Sequence, residues 1–338
     1  MSSSIQAAIA QAVERRPLTR AEACETMEQI LAGQATPAQI AGLAIALRMK
    51  GESPEEIAGM AEAMRRRVAP ILTRRGPLVD TCGTGGDNAG TFNISTTVAI
   101  VAASCGVAVA KHGNRAVSSR AGSADVLEQL GVTIELTPED AARSIDVLGL
   151  AFLFAPNYHI ALSHAAGPRR ELGVRTVFNV LGPLTNPAGA RRQLLGVYGD
   201  TLVRPLAEVL HRLGSERAWV VHGRDGLDEL TVFAPSHVAD LHNGAIVEYE
   251  VDPRSLGLGH TDRAGIAGGT AADNGRKIRA ILGGEPGPGR DIVVLNAAAA
   301  LVVGGVAADL EDGVARTRQA LDSGAAARKL EELAAFRP

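Results

Sequence analysis

The chain has 338 residues, 46% of them hydrophobic, and a formal net charge of −3. That length can bury two cores, and a charge this near neutrality gives no footing for a nucleic-acid or membrane-surface partner. Aromatics at 3% speak against a platform for stacking bases, and the apolar runs are too short and Ala-rich to span a membrane. Three cysteines without CxxC spacing, Cys24, Cys82 and Cys105, read as reduced thiols; with no basic and apolar leader at the N-terminus, the expectation is a cytoplasmic protein.

From residue 4 to about 68 the pattern is helical throughout. Thr19-Arg20-Ala21-Glu22, Thr36-Pro37-Ala38-Gln39 and Ser53-Pro54-Glu55-Glu56 are capping boxes, two of them with Pro at the first helical position. Gly33 and Gly51 stand where glycines end helices. This predicts a small helical bundle for packing or self-association, without a catalytic cluster. Its Arg65-Arg66-Arg67 run reads as a solvated helix end.

From residue 78 the pattern alternates. Strand signals fall at 78–80, 107–110, 133–136, 151–154, 194–198, 218–221 and 230–233, and helix signals at 96–104, 123–130, 137–148 and 201–213. Residues 239–241 and 246–251 flank His242-Asn243-Gly244-Ala245 and predict an antiparallel hairpin. Residues 270–335 read as helical, broken at 283–289 and near Gly304-Gly305; 291–295 reads equally as a short strand. Residues 158–189 interrupt the alternation and read as a crossing back to the bundle. The predicted fold class is α/β. A small discontinuous helical bundle domain (residues 1–75, with a crossing segment at about 165–190) accompanies a larger domain (76–164 and 191–338) with a mostly parallel sheet flanked by helices.

Three clusters carry the chemistry. Val79-Asp80-Thr81-Cys82-Gly83-Thr84-Gly85-Gly86-Asp87, continuing to Asn93-Ile94-Ser95-Thr96, reads as strand, tight turn and helix start. Glycines let backbone approach a ligand, Ser95 or Thr96 can cap the helix, and the free N–H groups of a helix start attract an anion. Neither a Walker A loop nor GxGxxG is present. Lys111-His112-Gly113-Asn114-Arg115-Ala116-Val117-Ser118-Ser119, with Ser123 beyond, follows the next strand and offers cation, amide and hydroxyl donors. Two such loops after successive strands share one rim of an α/β sheet. The third cluster runs from Val221-His222-Gly223 to Asp228-Glu229-Leu230, and neighbouring carboxylates beside a polyphosphate site suit Mg²⁺. His112 reads either as a general base or as an orienting residue, Cys82 as a buried filler, and Arg169 either as a carboxylate-binding guanidinium or as a helix-surface charge.

Gly83-Thr84-Gly85-Gly86-Asp87, Asn93-Ile94-Ser95-Thr96 and Lys111-His112-Gly113-Asn114-Arg115 resemble the signatures of the anthranilate phosphoribosyltransferases, which share the nucleoside phosphorylase-like fold. Val221-His222-Gly223-Arg224-Asp225-Gly226-Leu227-Asp228-Glu229, Arg169-Arg170-Glu171-Leu172-Gly173-Val174-Arg175-Thr176-Val177-Phe178-Asn179, Gly182-Pro183-Leu184-Thr185-Asn186-Pro187, Leu47-Arg48-Met49-Lys50-Gly51-Glu52 and Leu295-Asn296-Ala297-Ala298 extend the likeness over nearly the whole chain. The resemblance implies a Mg²⁺-dependent glycosyltransferase of tryptophan biosynthesis. It would move ribose 5-phosphate from phosphoribosyl diphosphate to the amino group of anthranilate and release diphosphate. By that likeness Gly83, Gly86, Asp87, Thr91, Asn93, Ile94, Ser95, Thr96, Lys111, His112, Gly113, Asn114, Arg115, Ala116, Val117, Ser118, Ser119 and Ser123 hold the sugar diphosphate. Ser95, Asp228 and Glu229 hold Mg²⁺, and Gly83, Asn114 and Arg169 contact anthranilate, with no obligatory protein base. The likeness further implies a homodimer through the helical domain and leaves association with anthranilate synthase open. The chain reads Ala166-Gly167-Pro168 where the family usually has Ala-Pro-Val, and a Pro there would shift the start of the helix bearing Arg169. Competing readings are a pyrimidine nucleoside phosphorylase, which would not need the Asp228-Glu229 pair, and a non-catalytic nucleotide sensor.

Overall fold

The computed structural model describes residues 4–116 and 120–338. Four helices come first, α1 (Ser4–Val13), α2 (Arg20–Leu31), α3 (Pro37–Lys50) and α4 (Pro54–Arg66). Their three capping boxes form as read: each Thr or Ser hydroxyl accepts from the N3 amide, and the N3 Glu or Gln side chain accepts from the N-cap amide. Gly33 and Gly51 take positive φ at the ends of α2 and α3.

The larger part alternates from there: β1 (Leu78–Gly83), α5 (Ile94–Ser104), β2 (Ala108–Gly113), α6 (Ser123–Gln129), α7 (Pro138–Leu148) and β3 (Leu150–Phe154). The crossing holds three helices, α8 (Ala155–Tyr158), α9 (Ser163–Leu172) and α10 (Phe178–Leu181). Then come β4 (Arg192–Gly196), α11 (Val203–Arg212), β5 (Arg217–Gly223), β6 (Ser236–His242) and β7 (Ala245–Val251), and last α12 (Ala271–Leu282), α13 (Pro288–Gly304), α14 (Leu310–Asp322) and α15 (Ala325–Ala335). The strands form one sheet in the order β3-β2-β1-β4-β5-β6-β7. The first five in that order are parallel, and β6 and β7 are antiparallel. Asn243 and Gly244 both take positive φ, the turn a two-residue hairpin needs. The strand order runs outward from β1 in both directions, to β2 on one side and β4 on the other, and because these strands are parallel the loops after β1, β2, β4 and β5 all reach one rim.

Side-chain alternation sends Val79, Leu194, Trp219 and Val221 to one face, under α5, α13, α14 and α15. Cys82, Leu195, Val197 and Val220 point to the other, where α11 and the bundle cover them. The apolar core of the bundle is therefore continuous with one face of the sheet, joined through Phe178, Leu181 and Leu184 of the crossing.

Three local expectations are corrected, and one reading left open, at 291–295, resolves as helix. Residues 133–136 and 230–233 form no strand, although Ile134, Leu136, Leu230 and Val232 are buried. Residues 291–295 lie within α13. Pro168 sits inside α9, which already begins at Ser163, so it does not set the start of the helix that carries Arg169. Arg65 is no solvated helix end. Its guanidinium donates to the Leu184 carbonyl at 2.7 Å and to the Leu213 carbonyl at 3.1 Å, bolting α4 to the crossing and to the end of α11.

Candidate active site

The rim is built from three bends. After β1, Gly85 and Gly86 adopt φ of +65° and +82°, a region open to glycine at little cost. Thr84 ties this loop to β4: its amide donates to the Gly196 carbonyl at 2.9 Å and its hydroxyl accepts from the Tyr198 amide at 3.1 Å. Further on, Thr91 bridges to Ala267 and the Phe92 amide donates to Ile266. The helix cap differs from expectation. Asn93 holds the N-cap position of α5 without a side-chain cap bond, and Ile94, Ser95 and Thr96 form the first turn. The Asn93 side chain is committed sideways, donating to the Ala121 carbonyl at 3.0 Å and accepting from Asn274 at 2.9 Å.

The acidic bend lies directly on the glycine loop. Asp228 Oδ2 accepts from the Gly85 amide at 2.8 Å, and the Asp228 amide reaches Asp87 Oδ2 at 3.5 Å. A side chain on Gly196 would run into the Asp228 carbonyl, and a Cβ on Gly83 would lie 2.6 Å from Asp228 Oδ2. Glycine at both strand ends is thus what lets the acidic bend descend. Asn296 of α13 fixes its far side, accepting from the Leu230 amide at 3.0 Å and donating to the Leu230 carbonyl at 2.8 Å. The Ser95 backbone at the start of α5 favours the charged form of Glu229.

This crowding has an electrostatic cost. Desolvation, then the Asp87 charge, pushes the Asp228 carboxyl upward, and desolvation with the Asp228 charge pushes Glu229 well above the ordinary carboxylate range. The buried Lys111 ammonium opposes the rise of Glu229, and it donates to the Thr81 carbonyl at 2.5 Å and to Ser95 Oγ at 3.3 Å. Three carboxyl groups crowded beside one lysine resist ionising together, a strain that a bound cation would relieve. Among the described residues no three His, Cys, Asp or Glu side chains enclose a metal by themselves. Two carboxylates and a serine hydroxyl are nevertheless a donor set that Mg²⁺ takes, completing its shell with water and substrate oxygens.

The third bend follows β2. The Ser123 hydroxyl donates to the Asn114 carbonyl at 3.1 Å and accepts the Asn114 amide at 3.2 Å, so Asn114 and Ser123 close this loop on themselves. The Ala116 amide donates to Asp125 at 3.0 Å, and Arg115 pairs with Asp125 at 3.0 Å and Glu128 at 2.5 Å. Val117, Ser118 and Ser119 lie outside the described residues. The His112 ring is buried 5.0 Å from the His159 ring, and desolvation followed by that neighbour lowers its pKa to about 3. An imidazole this reluctant to take a proton is a poor general base, which favours the orienting role. Cys82 is inert: burial raises its thiol pKa well above the usual value, and its sulfur accepts from Gln193 at 3.0 Å. Arg169, in the last turn of α9, lies 5.7 Å over the Phe178 ring with no hydrogen bond or ion pair among the described residues; burial lowers its pKa.

Two buried supports went unread in the sequence. Asp80 accepts from the His112 amide at 3.1 Å and from Asn186 at 2.8 Å, and Asn186 also donates to the Ala110 carbonyl at 2.8 Å. Asp80 and Asn186 thereby lock the crossing to the base of the second bend. Asn296 is the other. The available signal in both cases was a polar residue set in an apolar run, which must find partners when buried.

Residues 75–327 match the glycosyl transferase family α/β domain, and residues 6–68 match the helical bundle domain of the same family. The anthranilate phosphoribosyltransferase of Moorella thermoacetica is 55% identical over 98% of this chain and 98% of its own length. The chain belongs to the anthranilate phosphoribosyltransferase family. The solved enzyme of that family from Thermus thermophilus superposes with a TM-score of 0.92 at 47% identity, covering 97% of this chain and 98% of its own. The Saccharomyces cerevisiae member, solved in complex with PRPP and Mg, superposes with a TM-score of 0.88 at 25% identity, covering 98% and 97%. Among the described residues, no helix is long and apolar enough to cross a membrane.

Proposed function

We propose that the chain transfers ribose 5-phosphate from 5-phosphoribosyl 1-diphosphate to the amino group of anthranilate, giving N-(5-phosphoribosyl)anthranilate and diphosphate. The observation that carries this reading is the contact of Asp228 with the Gly85 amide. It sets a cation-demanding acidic bend against a phosphate-cradling glycine loop. In this reading Gly83, Gly86, Asp87, Thr91, Asn93 and the first turn of α5 seat the sugar diphosphate from one side, with Lys111, Asn114 and Ser123 on the other. Asp228, Glu229 and Ser95 hold Mg²⁺, which supplies positive charge where the leaving diphosphate gathers electrons.

As the bond between C1 and the diphosphate oxygen breaks, its electron pair leaves with diphosphate. The anthranilate nitrogen bonds to C1 and then loses its proton to water. An aryl amine is neutral at pH 7, so positioning outweighs activation. Arg169, partly desolvated and without an anionic partner among the described residues, takes the anthranilate carboxylate by paired hydrogen bonds. The test is diphosphate release from phosphoribosyl diphosphate with anthranilate and Mg²⁺, beside phosphate-dependent cleavage of thymidine. Release in the first assay and silence in the second is expected; the reverse would overturn the reading.

A further inference from the structure

Arg175 belongs to none of the contacts described so far, yet its guanidinium lies against the glycine loop. It sits in the short connection from α9 to α10. On one side Gly173 ends α9 in a left-handed turn, and on the other the Thr176 amide is held by Asn179 Oδ1 at 3.0 Å. The backbone is pinned on both sides, and the side chain extends to the glycine loop. Its guanidinium stacks 4.3 Å over the Tyr198 ring, and the Tyr198 amide is bonded to Thr84 of that loop. A Cβ on Gly86 would lie 2.9 Å from Arg175 Nε and 3.1 Å from its Cζ, so the guanidinium already occupies the space a side chain would need.

Like Arg169, and unlike Arg115 and Lys111, Arg175 is not committed. Arg115 is bound by Asp125 and Glu128, and Lys111 is tied to Thr81 and Ser95. Among the described residues Arg175 has no ion pair or hydrogen bond, although Asp87 follows Gly86 directly. A planar guanidinium braced on an aromatic face, with its donor edge free, suits two phosphate oxygens.

We propose that Arg175 is a substrate contact, closing the glycine loop from the crossing side and taking oxygens of the leaving diphosphate. This rests on the donor assigned above. The carboxylate bend and its cation would meet the diphosphate from one side and Arg175 from the other. The crossing segment that carries Arg169 for the acceptor would then also carry a contact for the leaving group.

The test uses the full chain with Arg175→Gln and Arg175→Lys. Calorimetric titration with inorganic diphosphate and Mg²⁺ is expected to show binding about 10- to 100-fold weaker in Arg175→Gln, as for loss of a charge-assisted pair. The KM for phosphoribosyl diphosphate should rise with it while the KM for anthranilate stays within about twofold, and Arg175→Lys should recover part of the loss. Should Arg175→Gln fail to fold, Arg175→Lys reads the same quantity, with a smaller loss from the missing fork. Unchanged diphosphate binding, or a rise confined to the anthranilate KM, overturns the proposal. Because diphosphate binding needs no acceptor, failure to turn over anthranilate would refute the assigned reaction and leave this readout intact.

Discussion

The helical bundle and the rim of the sheet handle charge in opposite ways. In the bundle, buried Glu56 accepts from the Leu18 amide at 2.9 Å, the Ser53 amide at 2.7 Å and Lys50 Nζ at 2.7 Å, so carboxylate and ammonium are both satisfied within the fold. At the rim, Asp87, Asp228 and Glu229 crowd together against one lysine, while Arg169 and Arg175 of the crossing have no anionic partner among the described residues. A region that serves the fold completes its own polar pairs. A region shaped for a metal-bridged anion leaves like charges facing each other, at a cost in stability that ligand binding offsets.

That contrast is broken most severely by neutralising the two rim carboxylates and, separately, the one in the bundle. Asp228→Asn with Glu229→Gln should lower turnover by roughly 10³-fold or more at ordinary Mg²⁺, since several kcal/mol of charge stabilisation is lost. The thermal midpoint should hold or rise, because a buried repulsion goes. Glu56→Gln should do the reverse, costing about 3–5 kcal/mol of stability by leaving Lys50 buried without its partner, with activity per folded molecule kept. Calorimetry and steady-state assays on both variants read the two effects; a stability loss at the rim equal to that in the bundle would contradict the distinction.

A smaller, graded effect sharpens the comparison through pH. His112 takes a proton only near pH 3 in the folded chain, against about 6.5 when unfolded, because burial beside His159 disfavours its charged form. The unfolded chain therefore binds the extra proton as pH falls through 6.5, and stability falls with it. Relative to His112→Gln, the wild type should lose stability on acidification with a slope approaching about 1.4 kcal/mol per pH unit between pH 6 and 4. Denaturant melts of both proteins across that range measure it, and parallel curves would count against a neutral, buried imidazole.

Much of this was legible in local sequence. Capping boxes, the Asn-Gly hairpin and the glycine loop depend on residues a few positions apart, and each formed where the residues placed it. Alternation at 133–136 and 230–233 showed which side chains are buried, but not whether a neighbouring strand supplies hydrogen bonds. The segment 291–295 lies in a helix buried nearly all round, so it carries no helical periodicity to read. What stayed hidden was long-range. Nothing near Arg65 announces the Leu184 carbonyl, nothing near Asp80 announces Asn186, and nothing near Gly86 announces Arg175. Even the N-cap of α5 went to Asn93 because Ala121 and Asn274 hold its side chain, which local capping rules for Ser95 and Thr96 do not see.

The most direct check on the account is a crystal structure of this chain grown with phosphoribosyl diphosphate and Mg²⁺. The diphosphate should lie between the loop of Gly83, Gly85 and Gly86 and the bend of Asp228 and Glu229, with metal density against those carboxylates. A sugar diphosphate bound at any other place, or carboxylates without metal beside a filled glycine loop, would contradict it.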